Sequence, residues 1–527
     1  MVAGGGPRQY GHSVITHSDP HPAHGPAPEG DLDPRRWKAL WVICAAIFLS
    51  AIDMTIVNVA LPDIADDLDA TVNELQWVVE GFLLALASLL LVGGGIADRF
   101  GRKRVFLAGF TLFAVSSLLA AVSQTPLQLI GSRILMGVSV AAIMPPALSL
   151  MSAIFPAKEL PRAVAIWAGI AGLGLAAGPV LGGILIDLAD WRWVFFVNIP
   201  VVLVAVPAGI RLLPESVRPG TPDIDLIGVL LSTLALGGIA FALIEGVARG
   251  WTSPPVICAA LIGLAALAAF TALELRFTEP LFDVSVLKRP RVRAGAFALL
   301  AIYASTMGVL FLLPQYLQYV QGRSALVAGL AMAPFGVGLA ITSPFARRLT
   351  ANHMPRNVMG CGLLVMAASF IPLCLLNENS PVVQVALGMG VMGLANGVTI
   401  TPATTVVLND LGVEKAGDAS NVNQLGRQVG GVLGVAIIGS IFAGLYAASL
   451  GDKIHGLPGH SRDLATSSIE GALTVSGGLA GPQGPKLLDH AYSAFDSAAR
   501  IGLATCALFL LAAAVVALLS ARSSPNT

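Results

Sequence analysis

Charge is what this chain has least of. Asp, Glu, Lys and Arg make up 12% of its 527 residues and cancel to a net charge of +0, where soluble domains carry about 25%. The shortage excludes a large soluble helical protein, whose helices need polar faces: Leu299–Leu313 and Ile501–Leu519 hold no charged residue at all. A zero balance also removes the electrostatic basis for a nucleic-acid partner. Cysteine is scarce and odd in number. Cys44, Cys258, Cys361, Cys374 and Cys506 all lie in apolar runs, which excludes a disulfide framework or a zinc site. None of the eight histidines falls in an apolar run, so a proton path through those runs must use carboxylates. No metal-ligand spacing, nucleophile–base pairing or phosphate loop is found, which argues against an enzyme and against a cofactor.

What the sequence does have is length in its apolar runs. They come in stretches of about 20 residues, enough to cross a hydrocarbon core of about 30 Å. In lipid each stretch must satisfy its own backbone, so the runs are helices. Fourteen are expected, at 40–60, 77–96, 105–123, 127–150, 163–186, 193–212, 226–246, 256–275, 294–320, 326–346, 357–376, 382–408, 426–449 and 501–520. The fold class is an all-α membrane protein. With both termini in the cytoplasm, 22 of the 31 Lys and Arg residues lie on the inside, 7 outside and 2 within spans, Arg133 and Arg427. That bias fixes the orientation. The first outer loop has Asp63, Asp66, Asp67, Asp69 and Glu74 and no basic residue.

Two segments outside the spans have some length. Residues 1–38 read as a disordered cytoplasmic tail, its His12, His17, His21 and His24 too loosely spaced for a metal site. It lacks a cleavable signal pattern, so the first apolar run is expected to stay as an anchor. An outer loop is expected at about 450–498, in which Ile469–Val475 could form a short structured element.

Ionisable groups at lipid depth cost about 2.5–3.5 kcal/mol each and are functional candidates by default. They are Asp53, Glu80, Arg133 and Arg427. Glu245 and Glu274, at span ends, are expected to be solvated. Burial and a nearby arginine act on a carboxylate in opposite directions. Asp53 could therefore load and release a proton by moving between such environments, or make a fixed buried pair. Glu80 reads equally as a solvated group near the outer interface and as a coupling or cation-recognition group. Arg133 stays charged and suits a fixed counter-charge. Glycine adds two further patterns. Gly174, Gly178 and Gly182 recur every four residues, with Gly183 and the helix-bending Pro179 beside them. They form a flat face for close helix approach, static or sliding. On the inner side Gly95, Asp98, Arg99, Gly101, Arg102 and Lys103 join two spans in a pattern richer than a plain basic loop, and read as a conformational latch.

These motifs resemble the major facilitator superfamily. Residues 95–104 resemble its signature inner loop, 129–137 its span-4 arginine motif, and Gly174–Gly183 the Gly-Pro motif of its antiporters. Asp53–Pro62, which includes Asn58, is similar to the span-1 motif of the drug:proton antiporters with 14 helices. Trp191–Pro200 and Gly426–Ala436, with Arg427, are further matches, and the likeness runs from about 40 to 520. The loop Ser343–Arg348 of the second half keeps the basic pair and lacks the acid. The resemblance implies a six-helix bundle at 39–213, two inserted helices at 214–280 and a second six-helix bundle at 281–522. It implies alternating access and export of amphipathic or cationic drugs in exchange for protons, driven by the proton motive force. Asp53, Glu80 and Arg133 become coupling or substrate candidates. The expected setting is a monomer in the inner membrane of a bacterium, with lipid, protons and small molecules as its partners. Dedicated export of one endogenous metabolite, antibiotic or lipid is the alternative.

Overall fold

Backbone groups that meet no water pair within their own helix, and a computed structural model shows the apolar runs folded in that way. It describes residues 35–156, 158–215, 226–276, 284–411, 416–479 and 482–519. The expected tail at 1–38, with its four histidines, falls almost wholly outside the described residues. Among the described residues, 14 helical spans are long and apolar enough to cross a membrane, the number read from the sequence.

The first bundle comprises α1 (Arg36–Leu68), α2 (Val72–Phe100), α3 (Arg102–Ala121), α4 (Pro126–Ile154), α5 (Leu160–Leu188), the short α6 (Trp193–Phe196) and α7 (Asn198–Leu212). A single span was expected at 193–212. The helix breaks after Phe196 because Pro200 has no N–H to return to the Phe196 carbonyl. The inserted pair is α8 (Leu226–Arg249) and α9 (Pro254–Glu274). The second bundle holds α10 (Pro290–Gln315), extended by a π-helical turn at Tyr316–Val320, then α11 (Ala325–Asn352), α12 (Pro355–Cys374), α13 (Val382–Leu411) and α14 (Ala416–Gly451). It closes with α15 (Gly459–Ser467), α16 (Ile469–Gly478) and α17 (Gln483–Leu519). Within the first bundle α1 packs on α5, and α4 on both α2 and α3. Within the second, α10 packs on α14 and α17, α11 on α13, and α12 on α13 and α17. The inserted pair docks through α8 onto α2 and α14, beside the junction of the two bundles.

Several helices outrun their apolar cores because their ends are capped. α2 starts five residues before the apolar run at 77–96. The Thr71 hydroxyl accepts from the Glu74 N–H at 3.3 Å and the Glu74 carboxylate accepts from the Thr71 N–H at 2.9 Å, a reciprocal cap. The expected outer loop at 450–498 is corrected more heavily. α17 begins at Gln483, and α15 and α16 fill much of the rest. The Ser468 hydroxyl caps α16 by accepting from Gly471 N–H at 3.0 Å. The Tyr446 hydroxyl bonds the carbonyls of Ala465 and Ser468, each at 3.2 Å. Burial of Ile469, Ala472 and Leu487 completes this helical cap.

The two bundles meet along their acid-rich ends. On α11, Gly329 lies against the Pro179 carbonyl and Gly336 against Ala176; a Cβ on Gly183 would be 2.5 Å from Leu326 Cα. Glycine is required at these points because the backbones approach too closely for a side chain. Gln318 Nε2 donates to the Val59 carbonyl at 2.9 Å, Tyr319 to the Pro62 carbonyl at 3.3 Å, and Leu326 N–H to Asp187 Oδ1 at 3.4 Å. A cleft of about 350 Å³ remains at this end, lined by Asp63, Asp66, Asp187, Tyr319 and Arg323 among others. At the basic ends the ion pairs stay within one bundle: Arg36 with Glu159 at 2.9 Å, and Asp410 with Arg289 at 3.7 Å and Arg291 at 3.8 Å. Gly169 and Gly172 of α5, further from that end, face open space, so the close contact between the bundles lies toward the acid-rich face.

Two measurements test this account. Asp187→Cys and Leu326→Cys should form a disulfide in membranes, and adding Gly329→Val should cut its yield roughly tenfold, since overpacking costs about 1–3 kcal/mol. An undiminished yield would contradict the glycine seam. Burial, with a smaller contribution from the Asp66 charge, pushes the Glu470 carboxyl of the cap up to about 8 from its ordinary 4.5. A raised acid weakens the folded form wherever the unfolded chain would ionise it. Hydrogen exchange in 459–478 should therefore quicken as pH rises from 4.5 through 8, and Glu470→Gln should flatten that dependence.

Candidate functional site

The sequence puts one acid on α1 and one base on α4, and the fold brings them together. Arg133 donates to Asp53 Oδ2 at 2.5 Å, with side-chain exposures of 2% and 0%. Its Nε donates to the Val78 carbonyl at 3.1 Å, and its guanidinium lies 4.5 Å from the centre of the Phe82 ring. Gly137, one turn on from Arg133, lets α4 reach this depth, since an added Cβ there would strike the Phe82 carbonyl. The pair is sealed among helices in this conformation. Among the described residues Asp53 Oδ1 has no hydrogen-bond partner.

Glu80 is not a solvated group near an interface. The reciprocal cap lengthens α2, so Glu80 lies in its third turn, at 0% exposure. Its carboxylate lies against the backbone of Ala436 on α14, without a well-formed hydrogen bond to either oxygen. Gln76, one turn earlier, donates to the Val435 carbonyl of α14 at 3.5 Å, and Leu83 touches Gly431 of the same helix. Residues 76, 80 and 83 therefore form the face of α2 that seals against the second bundle, while Val78 and Phe82 face Arg133. One helix joins the buried pair to the contact between bundles.

The remaining candidates are distributed differently. Gly174, Gly178 and Gly182 face α1, against Ala51, Thr55 and Ile56, so this seam lies inside one bundle. The contact across bundles uses the adjacent face of α5, with Ala176, Pro179 and Gly183. Asn58 donates within its own helix, to Met54 at 3.2 Å and Thr55 at 3.5 Å, and does not join the Asp53–Arg133 pair. In the inner loop Asp98 holds Arg102 at 2.7 Å. Gly101 takes φ +105°, a region glycine enters without strain, and lies against the Glu215 carboxylate. That carboxylate accepts from Lys103 N–H at 3.2 Å and pairs with Arg104 at 3.4 Å. Arg99 stands near the Phe100 ring, and Gly95 faces open space. The loop is thereby fastened to the end of α7 in its own bundle. Glu215 gives no signal in the sequence because it lies 112 residues from its partner.

The two span-end acids are also corrected. Glu274 is buried at 3%. Glu245 accepts from Trp77 Nε1 at 3.1 Å and pairs with Arg249 at 2.6 Å, which ties α8 to α2. Arg427 is partly exposed on α14, 5.6 Å from the centre of the Tyr303 ring on α10. In the second bundle Asn396 donates to the Thr306 hydroxyl at 3.3 Å, a polar pair the sequence reading missed because neither residue ionises.

Known proteins with this pattern are numerous. The family model described as Major Facilitator Superfamily matches residues 43–435. The chain is 31% identical to the tetracenomycin C resistance and export protein of Streptomyces glaucescens, over 98% of this chain and 97% of that one. It is 36% identical to a puromycin resistance protein of Streptomyces alboniger, covering 80% and 84% of the two chains. With the multidrug efflux pump LfrA of Mycolicibacterium smegmatis it shares 33% identity over 92% and 95%. The fold is similar to that of a bacterial homolog to the human lysosomal transporter Spinster, solved in an inward-facing, occupied conformation. That match has a TM-score of 0.65 at 18% identity and covers 94% of this chain and 98% of the other. With its motifs in place, its spans matching in number and its relatives aligned end to end, the chain belongs to the Major Facilitator Superfamily.

Proposed function

We propose that the chain exports amphipathic, drug-like small molecules across a bacterial cell membrane in exchange for protons, as a monomer with both termini in the cytoplasm. The observation that carries the reading is the Asp53–Arg133 pair, sealed at lipid depth with one carboxylate oxygen left without a partner. A buried pair seldom repays its desolvation, so its presence favours a working role. The relatives whose names describe resistance, export or multidrug efflux support the substrate class. The bias of basic residues supports the orientation. On that orientation the closely packed, acid-rich face is the outer one.

The mechanism follows from the contacts. A proton arriving on Asp53 cancels its charge and weakens its hold on Arg133. The guanidinium keeps its bond to the Val78 carbonyl, so its shift moves α2. The other face of α2, with Gln76, Glu80 and Leu83, seals the bundles together, and a small rotation there opens the acid-rich end. No cofactor takes part. Each charge crossing 100 mV supplies about 2.3 kcal/mol, enough for roughly a fiftyfold gradient of a neutral solute per proton. Export of a single endogenous compound would use the same machinery and differ only in the cavity lining.

Proteoliposomes carrying a proton gradient should show gradient-dependent flux of members of a broad compound panel that includes ethidium; no such flux for any member would refute drug antiport. Asp53→Asn should reduce flux to the rate without a gradient and, by stranding Arg133, cost about 3–5 kcal/mol of stability. The double variant Asp53→Asn/Arg133→Gln should regain stability and not transport. If it is stable and still couples, the pair is structural only.

A further inference from the structure

Arg427 differs from Arg133 and Arg249, the other basic residues of these helices that the pairs above involve. Asp53 holds Arg133, and Arg249 holds Glu245. Arg427 makes no ion pair or hydrogen bond among the described residues; its neighbour is the Tyr303 ring, 5.6 Å away. It lies nine residues beyond Asp418, where its span begins, and so about 14 Å along the helix axis. A guanidinium cannot shed its charge, and at that depth it must face water or a ligand.

The helix period tells where it points. Residues 427, 431, 435 and 439 lie in one row along α14. Gly431 touches Leu83 of α2, Val435 accepts from Gln76, and a Cβ on Gly439 would collide with Gln76. From 431 onward the row is sealed against the first bundle. One turn toward the basic face, at 427, the side chain is partly exposed. Arg427 therefore stands one turn beyond the sealed contact, partly exposed on the side toward the basic face. On α10 the row from Tyr303 to Met307 repeats the arrangement, with Met307 against Gly431 and Tyr303 partly exposed below it. One turn away Thr306 holds Asn396, whose Oδ1 is buried without a hydrogen-bond partner among the described residues.

We propose that Arg427 and Tyr303 recognise the substrate, and that they select planar aromatic molecules bearing a negative charge, such as a phenolate or an aryl carboxylate, over organic cations. The guanidinium offers a forked donor to the anion and the phenol a ring for stacking, while the acids of the spans are occupied or sealed. This deepens the export reading and rests on it, and it narrows the amphipathic or cationic class implied by the family resemblance.

Equilibrium binding to the purified full chain tests the idea separately from transport. The probes are 1-hydroxy-2-naphthoate, its uncharged methyl ester, and ethidium. The acid should bind roughly tenfold or more tightly than the ester, as a charge-assisted fork requires, and more tightly than ethidium. Arg427→Gln should bring the acid-to-ester ratio to about one, Arg427→Lys should keep part of it, and Tyr303→Leu should weaken acid and ester alike. Because the ratio is taken on one preparation, partial unfolding of a variant does not change it. An unchanged ratio in Arg427→Gln, tighter binding of ethidium than of the acid, or no binding of either naphthoate would each overturn the proposal. Antiport itself would fail only if no compound moved with the gradient.

Discussion

A single ion pair at lipid depth organises the first bundle. Arg133 reaches from α4 to Asp53 on α1, to the Val78 carbonyl and to the Phe82 ring on α2. Three helices are thus tied by one side chain that can never become neutral. In a soluble protein the carboxylate could turn to water if the pair broke. Here both groups are fully enclosed, so a change of charge at one must be answered by movement of helices. That constraint ties the charge state of one pair to the packing of three helices.

The second constraint is close backbone approach. The glycines of α11 and α5 let the bundles meet at their acid-rich ends with almost no side chain between them. Contacts of that kind are numerous but individually weak, and few polar bonds hold them. Gln318, Tyr319 and Leu326 supply three hydrogen bonds at the mouth. Such an interface can close tightly and still part. The neighbouring glycine row faces α1 inside the first bundle. One helix thus carries a seam within its bundle and a seam between bundles on adjacent faces, which the periodicity of Gly174, Gly178 and Gly182 alone does not distinguish.

The inserted helices and the outer cap are fitted around this machinery. α8 touches both bundles, through Trp77 with Glu245 and through the Ser440 hydroxyl donating to the Leu243 carbonyl at 2.6 Å. It sits beside the contact between the bundles rather than apart from it. The cap at 459–478 is held by Tyr446 and by burial of Ile469 and Ala472. The sequence marks only Ile469–Val475 within it, where α16 forms, because α15 is short and polar and the background is rich in Gly and Ser.

The sequence by itself determined the class of protein. Bilayer thickness sets span length and the absence of water demands helices, so the number of spans follows from local composition. The cost of burying charge marked Asp53 and Arg133, and the family motifs named their kin. Helix ends such as the Thr71–Glu74 cap were also written locally, though their effect on the depth of Glu80 was easy to miss. Only the tertiary structure decided which charges meet and which stand alone. Glu80 is sealed against α14, Glu215 fastens a loop 112 residues away, and Arg427 stands beside the Tyr303 ring. Partnership across distant segments depends on how helices rotate and pack, and one helix's composition carries no record of its neighbour.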